Sequence, residues 1–290
     1  MTIDYPFTYD AASERSKHAQ DNHFLFMRLE YGVMLLTALI AASDQLLPGA
    51  FPNLVYAIMF FILVGFTFWA YFWKYDQVWY QARAVAESIK TLSWRFMMCA
   101  EPFGDCDDTE GAKTEFIKDV GSIYQSQKDI LKFSALKIPK KSDVTQSMLD
   151  VRSKSLQERV QIYLKSRVED QFDWYTSKSR TNREKGFFWL LIIVAMYIIA
   201  ALLIMAGIVR PGEHWSFVSI IILLGSSFLG WTKSKRFGEL STSYALAASE
   251  IQTVTNNPPV ITTQEELSDF VNETERAFSR EHTQWIARKA

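Results

Sequence analysis

The side chains best suited to chemistry in this 290-residue chain are spaced in ways that withhold most of it. His18, His23, His214 and His282 are scattered. None has a cysteine nearby or a second histidine three or four positions along a helix, so local sequence assembles neither a zinc site nor a nucleophilic triad. Cys99 and Cys106 have no histidine neighbours and read as free thiols. The acidic stretch Glu101–Gly111, with Asp105, Asp107, Asp108 and Glu110, could hold a cation but lacks the regular ligand spacing of a calcium loop, and a solvated linker is the simpler reading. Gly104 and Gly111-Ala-Lys113 do not have the spacing of a phosphate loop, and no strand pattern precedes them. The expectation is a protein that is not an enzyme, with no catalytic residue, cofactor, metal or nucleic-acid partner.

The remaining charge is placed against long apolar runs. Four such runs stand out: Phe24–Ser43, Leu54–Trp73, Gly186–Val209 and Trp215–Thr232. A bilayer core of ~30 Å needs about 20 apolar residues in a helix, so each run is predicted to span a membrane. Only the first carries charge, Arg28 and Glu30, both near one end. There they can snorkel to the interface, or one can pair with another span as a gate. Ion-coupled transporters usually keep charge at mid-membrane, which tells against coupled transport. The spans instead carry small, weakly polar residues, among them Thr67, Ser219, Ser226, Ser227 and Gly230. These either let helices approach closely or line a narrow pore, and a pore would need several copies of the chain.

These residues depend on a larger organisation. The second pair of runs lies 162 residues after the first, and the same shift carries Trp69 onto Trp231 and Ile89-Lys-Thr91-Leu92 onto Ile251-Gln-Thr253-Val254. The chain reads as a duplicated unit, residues 1–141 with spans 24–43 and 54–73, and residues 142–290 with spans 186–209 and 215–232. Each unit has an even number of spans, so the two hairpins are expected to be parallel. Of the 31 Lys and Arg residues, 20 lie between Lys74 and Lys185. Positive charge is retained inside the cell, which predicts cytoplasmic termini, a cytoplasmic central segment, and tips Asp44–Asn53 and Arg210–His214 facing out. The polar first 23 residues do not resemble a cleavable signal peptide.

The cytoplasmic segments read as helices. After Trp73 the helix is expected to run on to Pro102, with a heptad-like, coiled-coil seam at Val78, Ala82, Val85, Ile89, Leu92, Phe96 and Cys99. That seam packs within the chain or against a second subunit. Another helix is expected around Thr114–Lys132, and a long polar one, without Pro or Gly, over Ser142–Lys178. Thr263-Gln-Glu-Glu266 is a capping box opening a last helix that buries Leu267, Phe270, Val271, Phe278 and Trp285. The predicted fold class is an all-α membrane protein with a large cytoplasmic helical domain.

The stretch Trp79-Tyr-Gln-Ala-Arg83-Ala-Val-Ala-Glu87-Ser88-Ile-Lys90-Thr91-Leu-Ser-Trp94-Arg95, closed by Glu101-Pro102-Phe103, resembles the SLATT family of bacterial two-transmembrane effector domains. A second stretch, Tyr163-Leu-Lys-Ser-Arg167-Val-Glu-Asp170-Gln171-Phe-Asp-Trp174-Tyr175, resembles it too, as does Glu281–Arg288. The resemblance implies a tandem, homo-oligomeric, pore-forming effector of the bacterial inner membrane, acting in nucleotide-signalling antiphage defence. Its partners would be membrane lipid and a nucleotide second messenger or a cytosolic signalling protein. No nucleotide-sensing domain is read within these residues, so the trigger is expected to bind directly or arrive through a partner. The family carries over no catalytic residues. The matched polar positions Arg83, Glu87, Arg95, Arg167 and Asp170 are candidates for structural ion pairs or ligand contacts. The alternative function is a non-conducting scaffold that recruits a partner through the seam.

Overall fold

The computed structural model describes residues 3–42, 51–126, 143–209 and 216–287, and the side chains at 41–42, 51–52, 216–217 and 279–287 fall outside that description. Outside it too lie nearly all of the tip Asp44–Asn53, all of Arg210–Trp215, positions 127–132 of the second cytoplasmic helix, the side chain of Trp285 and the Glu281–Arg288 motif. Every regular element among the described residues is helical: α1 (Phe7–Ala42), α2 (Phe51–Trp73), α3 (Tyr75–Met97), α4 (Thr109–Ser126), α5 (Gln146–Arg152), α6 (Leu156–Tyr163), a π-helical turn (Leu164–Glu169), α7 (Asp170–Val209), α8 (Ser216–Lys235), α9 (Phe237–Asn256) and α10 (Gln264–Ala287). Three stretches are long and apolar enough to cross a membrane, within Phe7–Ile40, Asn53–Met97 and Leu156–Val209. The expected fourth span falls in α8, which is 20 residues long and ends on Lys233 and Lys235.

The helix after the first hairpin is not continuous. Lys74 takes φ 41° and separates α2 from α3, and Arg236 takes φ 52° and separates α8 from α9. These breaks lie 162 residues apart, and so do the first residues of the helices that follow, Tyr75 and Phe237. The backbone break thus recurs at the same 162-residue shift as the sequence pattern. The expected stop at Pro102 comes early. α3 ends at Met97, Cys99 follows at φ 49°, and the Ala100 N–H turns back to the Arg95 carbonyl at 2.9 Å. Nor is Ser142–Lys178 one helix. It breaks at Ser153–Ser155, where the Glu158 carboxylate accepts from the Ser155 N–H (3.1 Å) and hydroxyl (2.7 Å) and opens α6. The capping box at Thr263 forms as read: Glu266 N–H donates to Thr263 Oγ1 at 3.2 Å, and Thr263 N–H to the Glu266 carboxylate at 3.1 Å.

The chain divides into two compact units. The span unit comprises Asn22–Lys74 and Ser177–Tyr244; the bundle unit comprises Met1–Asp21, Tyr75–Thr176 and Ala245–Ala290. Each therefore draws segments from both sequence repeats.

In the bundle unit, α3 packs against α4, α5 and α10. Its seam residues Ala82, Val85, Ile89, Phe96 and Cys99 are buried within this chain, and so are Trp79, Ala86, Ser93, Trp94 and Met97. A helix surrounded on several sides buries more than a two-residue heptad stripe, so the seam is one part of a broad core-facing surface. Phe96, Phe103 and Phe116 interlock with ring centroids 5.2–5.9 Å apart. The carbonyls left open at the end of α3 are met by side chains from elsewhere in the bundle. Arg152 donates to Phe96 (2.7 Å) and Phe103 and to Asp105, Arg159 donates to Met98 (3.1 Å), and Gln264 donates to Met98 and Cys99. Burial, with Cys106 in hydrogen-bond contact, pushes the Cys99 thiol up to about 12.

Candidate functional site

The candidates in the span unit are set mainly by helix packing. A Cβ added to Gly230 would meet the Tyr31 hydroxyl at 2.8 Å, and one on Gly225 would meet the Tyr197 ring at 2.7 Å. Both glycines let a tyrosine from another helix lie against α8. Thr67 is exposed and its hydroxyl donates to the Leu63 carbonyl of its own helix (3.0 Å); Ser219 and Ser226 are exposed as well. The Ser227 hydroxyl is buried without a hydrogen-bond partner among the described residues. Arg28 is exposed and donates from Nε to Phe24 O at 3.1 Å, and no ion pair joins it or Glu30 to a described residue. At the end of the spans, Lys235 Nζ sits 3.0 Å from the Phe24 ring centroid and 4.9 Å from that of Trp231, an aromatic–cation cluster of interfacial type.

The bundle unit holds a different kind of site. Its centre is Glu275, wholly buried on α10 and not anticipated from sequence. Arg167, itself 1% exposed, donates from Nε (2.8 Å) and Nη2 (2.7 Å) to the two carboxylate oxygens in a bidentate pair. Thr91 and Tyr163 hydroxyls complete the shell at 2.8 and 3.1 Å. Burial opposes charge on Arg167, but Glu275 outweighs it and raises the guanidinium pKa. Burial, then Glu275, raises the Tyr163 pKa, so its hydroxyl stays a donor. Arg167 lies in the π-helical turn, whose extra residue per turn shifts the side-chain register; such turns recur at functional sites. Phe278 covers the guanidinium, with its centroid 4.9 Å from Arg167 Cζ.

Beside this pair opens a cavity of about 310 Å³. Four of the five matched polar positions line it: Arg83, Glu87, Arg167 and Asp170. Arg95 does not; it is half-buried, and burial lowers its pKa. Further lining comes from Lys17 and Tyr9 on α1, Trp79 and Lys90 on α3, and Trp174 and Tyr175 on α7. α1 is held here by the Ser16 hydroxyl donating to the Trp79 carbonyl (3.2 Å), and the segment before it by the Trp94 indole donating to the Tyr5 hydroxyl (3.0 Å). Arg83 Cζ lies 5.7 Å from the Trp174 ring centroid. The Lys90 ammonium is depressed, first by burial and then by Arg167, against the pull of Glu87, Asp170 and Glu275. Lys90 and Trp174 fall inside the stretches quoted above and Tyr9 far outside them, and none carries a signal of its own, because a ring or an ammonium on a polar helix gives no sign of facing inward until the helix has neighbours.

Helical elements throughout the described residues, three of them long and apolar enough to cross a membrane, define a class of helical membrane proteins. Residues 6–160 match SMODS and SLOG-associating 2TM effector domain 3, and residues 163–285 match SMODS and SLOG-associating 2TM effector domain 1. The chain belongs to this family, as two tandem SLATT domains. Comparisons with curated proteins and with solved structures give no match.

Proposed function

We propose that this protein is an inner-membrane effector of a bacterial nucleotide-signalling antiphage system, and that it oligomerises into a pore or ion channel opened by a cytoplasmic signal. The observation that carries the reading is the tandem effector-domain match over nearly the whole chain. In this reading α8 is the fourth span, the hairpins are parallel, and both termini and the bundle unit are cytoplasmic. The repeated breaks at Lys74 and Arg236 support two equivalent exits from the membrane. The density of Lys and Arg between residues 74 and 185 supports their cytoplasmic side. Four spans do not enclose an aqueous path, so the conducting form contains several copies, with lipid around it. The protein catalyses no reaction and binds no nucleic acid; its output is ion flow. α1, α7 and α9, which contribute residues to both units, carry a change in the bundle to the spans. The seam's burial inside the chain leaves little of it for recruiting a partner, which weighs against the scaffold alternative.

Expression in a bacterial host with a potential-sensitive dye tests this. A pore depolarises the host, and Ser226→Trp or Gly230→Trp relieves the toxicity. Full membrane insertion at high level with the potential and growth unchanged contradicts it.

A further inference from the structure

We infer that the cavity of the bundle unit is a binding site for a mononucleotide-class ligand, a planar nitrogen heterocycle carrying a phosphate. Its volume of about 310 Å³ sits at the lower end of small-molecule sites, roughly 300–1,000 Å³, which suits one such molecule and is generous for a bare oxyanion. Three chemistries meet in its wall. The first is cationic: Lys17, Arg83 and Lys90, together with Arg167, outnumber Glu87 and Asp170. Arg167 is held by Glu275 through Nε and Nη2 and sets the depth of the cationic side of the wall. A phosphate oxygen is the acceptor a guanidinium matches best. The second is aromatic: Trp79 and Trp174 form part of the wall, with Arg83 Cζ 5.7 Å from the Trp174 ring centroid. The third is the pair of carboxylates, Glu87 and Asp170, which can accept from sugar hydroxyls or ring N–H groups.

Taken singly, these features have ordinary structural explanations. Together in one cavity they match the three parts of a nucleotide. Lys90 fits the same role. Burial and Arg167 disfavour its charge, and an arriving phosphate would favour it. That the ligand acts as the trigger rests on the pore reading above; that it binds does not.

The test uses the purified full chain in detergent micelles, followed by calorimetry and by tryptophan fluorescence. The probes are the four 5′-mononucleotides and their 3′,5′-cyclic forms, with the nucleosides (ring only) and inorganic phosphate (anion only) as separate arms. At least one nucleotide should bind with a micromolar Kd, and its nucleoside and inorganic phosphate should each bind about tenfold more weakly or worse. Lys90→Met and Arg83→Gln should each weaken that binding about tenfold without lowering the thermal midpoint. The proposal is overturned by no nucleotide binding at millimolar concentration. Equal affinity for phosphate or nucleoside alone, or undiminished binding in both variants, also overturns it. Binding without conductance would sink the pore and leave the site standing; depolarisation of the host without binding would do the reverse.

Discussion

The two units of this chain solve opposite solvation problems. In the bundle unit the fully buried positions include an arginine, a glutamate and a tyrosine hydroxyl, each engaged in a shared hydrogen-bond network around Glu275. In the span unit the surface carries large apolar groups: Phe61 is 77% exposed and Phe72 74%. In the first, apolar burial drives packing, and the buried charges are met by a carboxylate at Arg167 and by carbonyls at Arg152 and Arg159. Lipid around the second removes that drive, so its helices meet through small residues and aromatic contacts instead, as at Gly230 with Tyr31 and at Gly225 with Tyr197. One sequence repeat thus contributes to two units that obey different rules.

Breaking the buried pair should have the largest effect. Glu275→Leu leaves Arg167 charged and unpaired, and thermal unfolding in detergent, read by near-ultraviolet circular dichroism, should show a loss of about 3–5 kcal/mol in the bundle. The double variant Arg167→Leu/Glu275→Leu should recover much of it, because no orphan charge remains. Next in size is a matched pair of phenylalanines. Phe116→Ala, at a buried site, should cost ~3 kcal/mol, whereas Phe61→Ala on the span surface should fall within about 0.5 kcal/mol in the same assay. Equal costs would erase the distinction drawn here. A smaller loss, about 1–3 kcal/mol, is expected for Gly230→Leu, which must displace Tyr31. Helix association measured in micelles should weaken accordingly.

The smallest effect has the opposite sign. Folding lowers the Lys90 pKa, so the folded state disfavours its charge; that destabilisation is complete below the folded pKa and fades as pH rises through it toward the ordinary lysine value. Glu87, Asp170 and Glu275 moderate it and Arg167 adds to it. At neutral pH, Lys90→Met should therefore raise the thermal midpoint, by about 1–3 °C. The gain over wild type should shrink in strongly alkaline buffer. A residue that lowers stability where it stands, in a cavity of this chemistry, is the pattern expected of a binding group.

Much of this was legible in the sequence. The apolar runs, the 162-residue shift and the Thr263–Glu266 cap are local or periodic, and the helix starts at Tyr75 and Phe237 repeat at the same shift. The break before α6 is also written locally, as Ser155-Leu-Gln-Glu158, a capping-box spacing inside a stretch that holds no Pro or Gly. The Arg167–Glu275 pair was not legible. Its members are 108 residues apart, and each sits among other charged residues on a polar helix, where a solvated face is the default reading. The breaks at Lys74 and Arg236 have no signal in residue type, since lysine and arginine do not favour positive φ. Four of the five polar positions suggested by family resemblance do line one cavity, but its aromatic wall emerges only when α1, α3 and α7 are assembled.

The central claim is that a ligand in the bundle opens a path through the spans. Planar-bilayer recording of the reconstituted oligomer tests it most directly, with the nucleotide that calorimetry identifies added to one side at a time. The account predicts discrete conductance steps when the nucleotide is on the bundle side, none when it is on the other, and about tenfold more nucleotide needed to open Lys90→Met. Intact, nucleotide-bound oligomers that stay silent from both sides would contradict it.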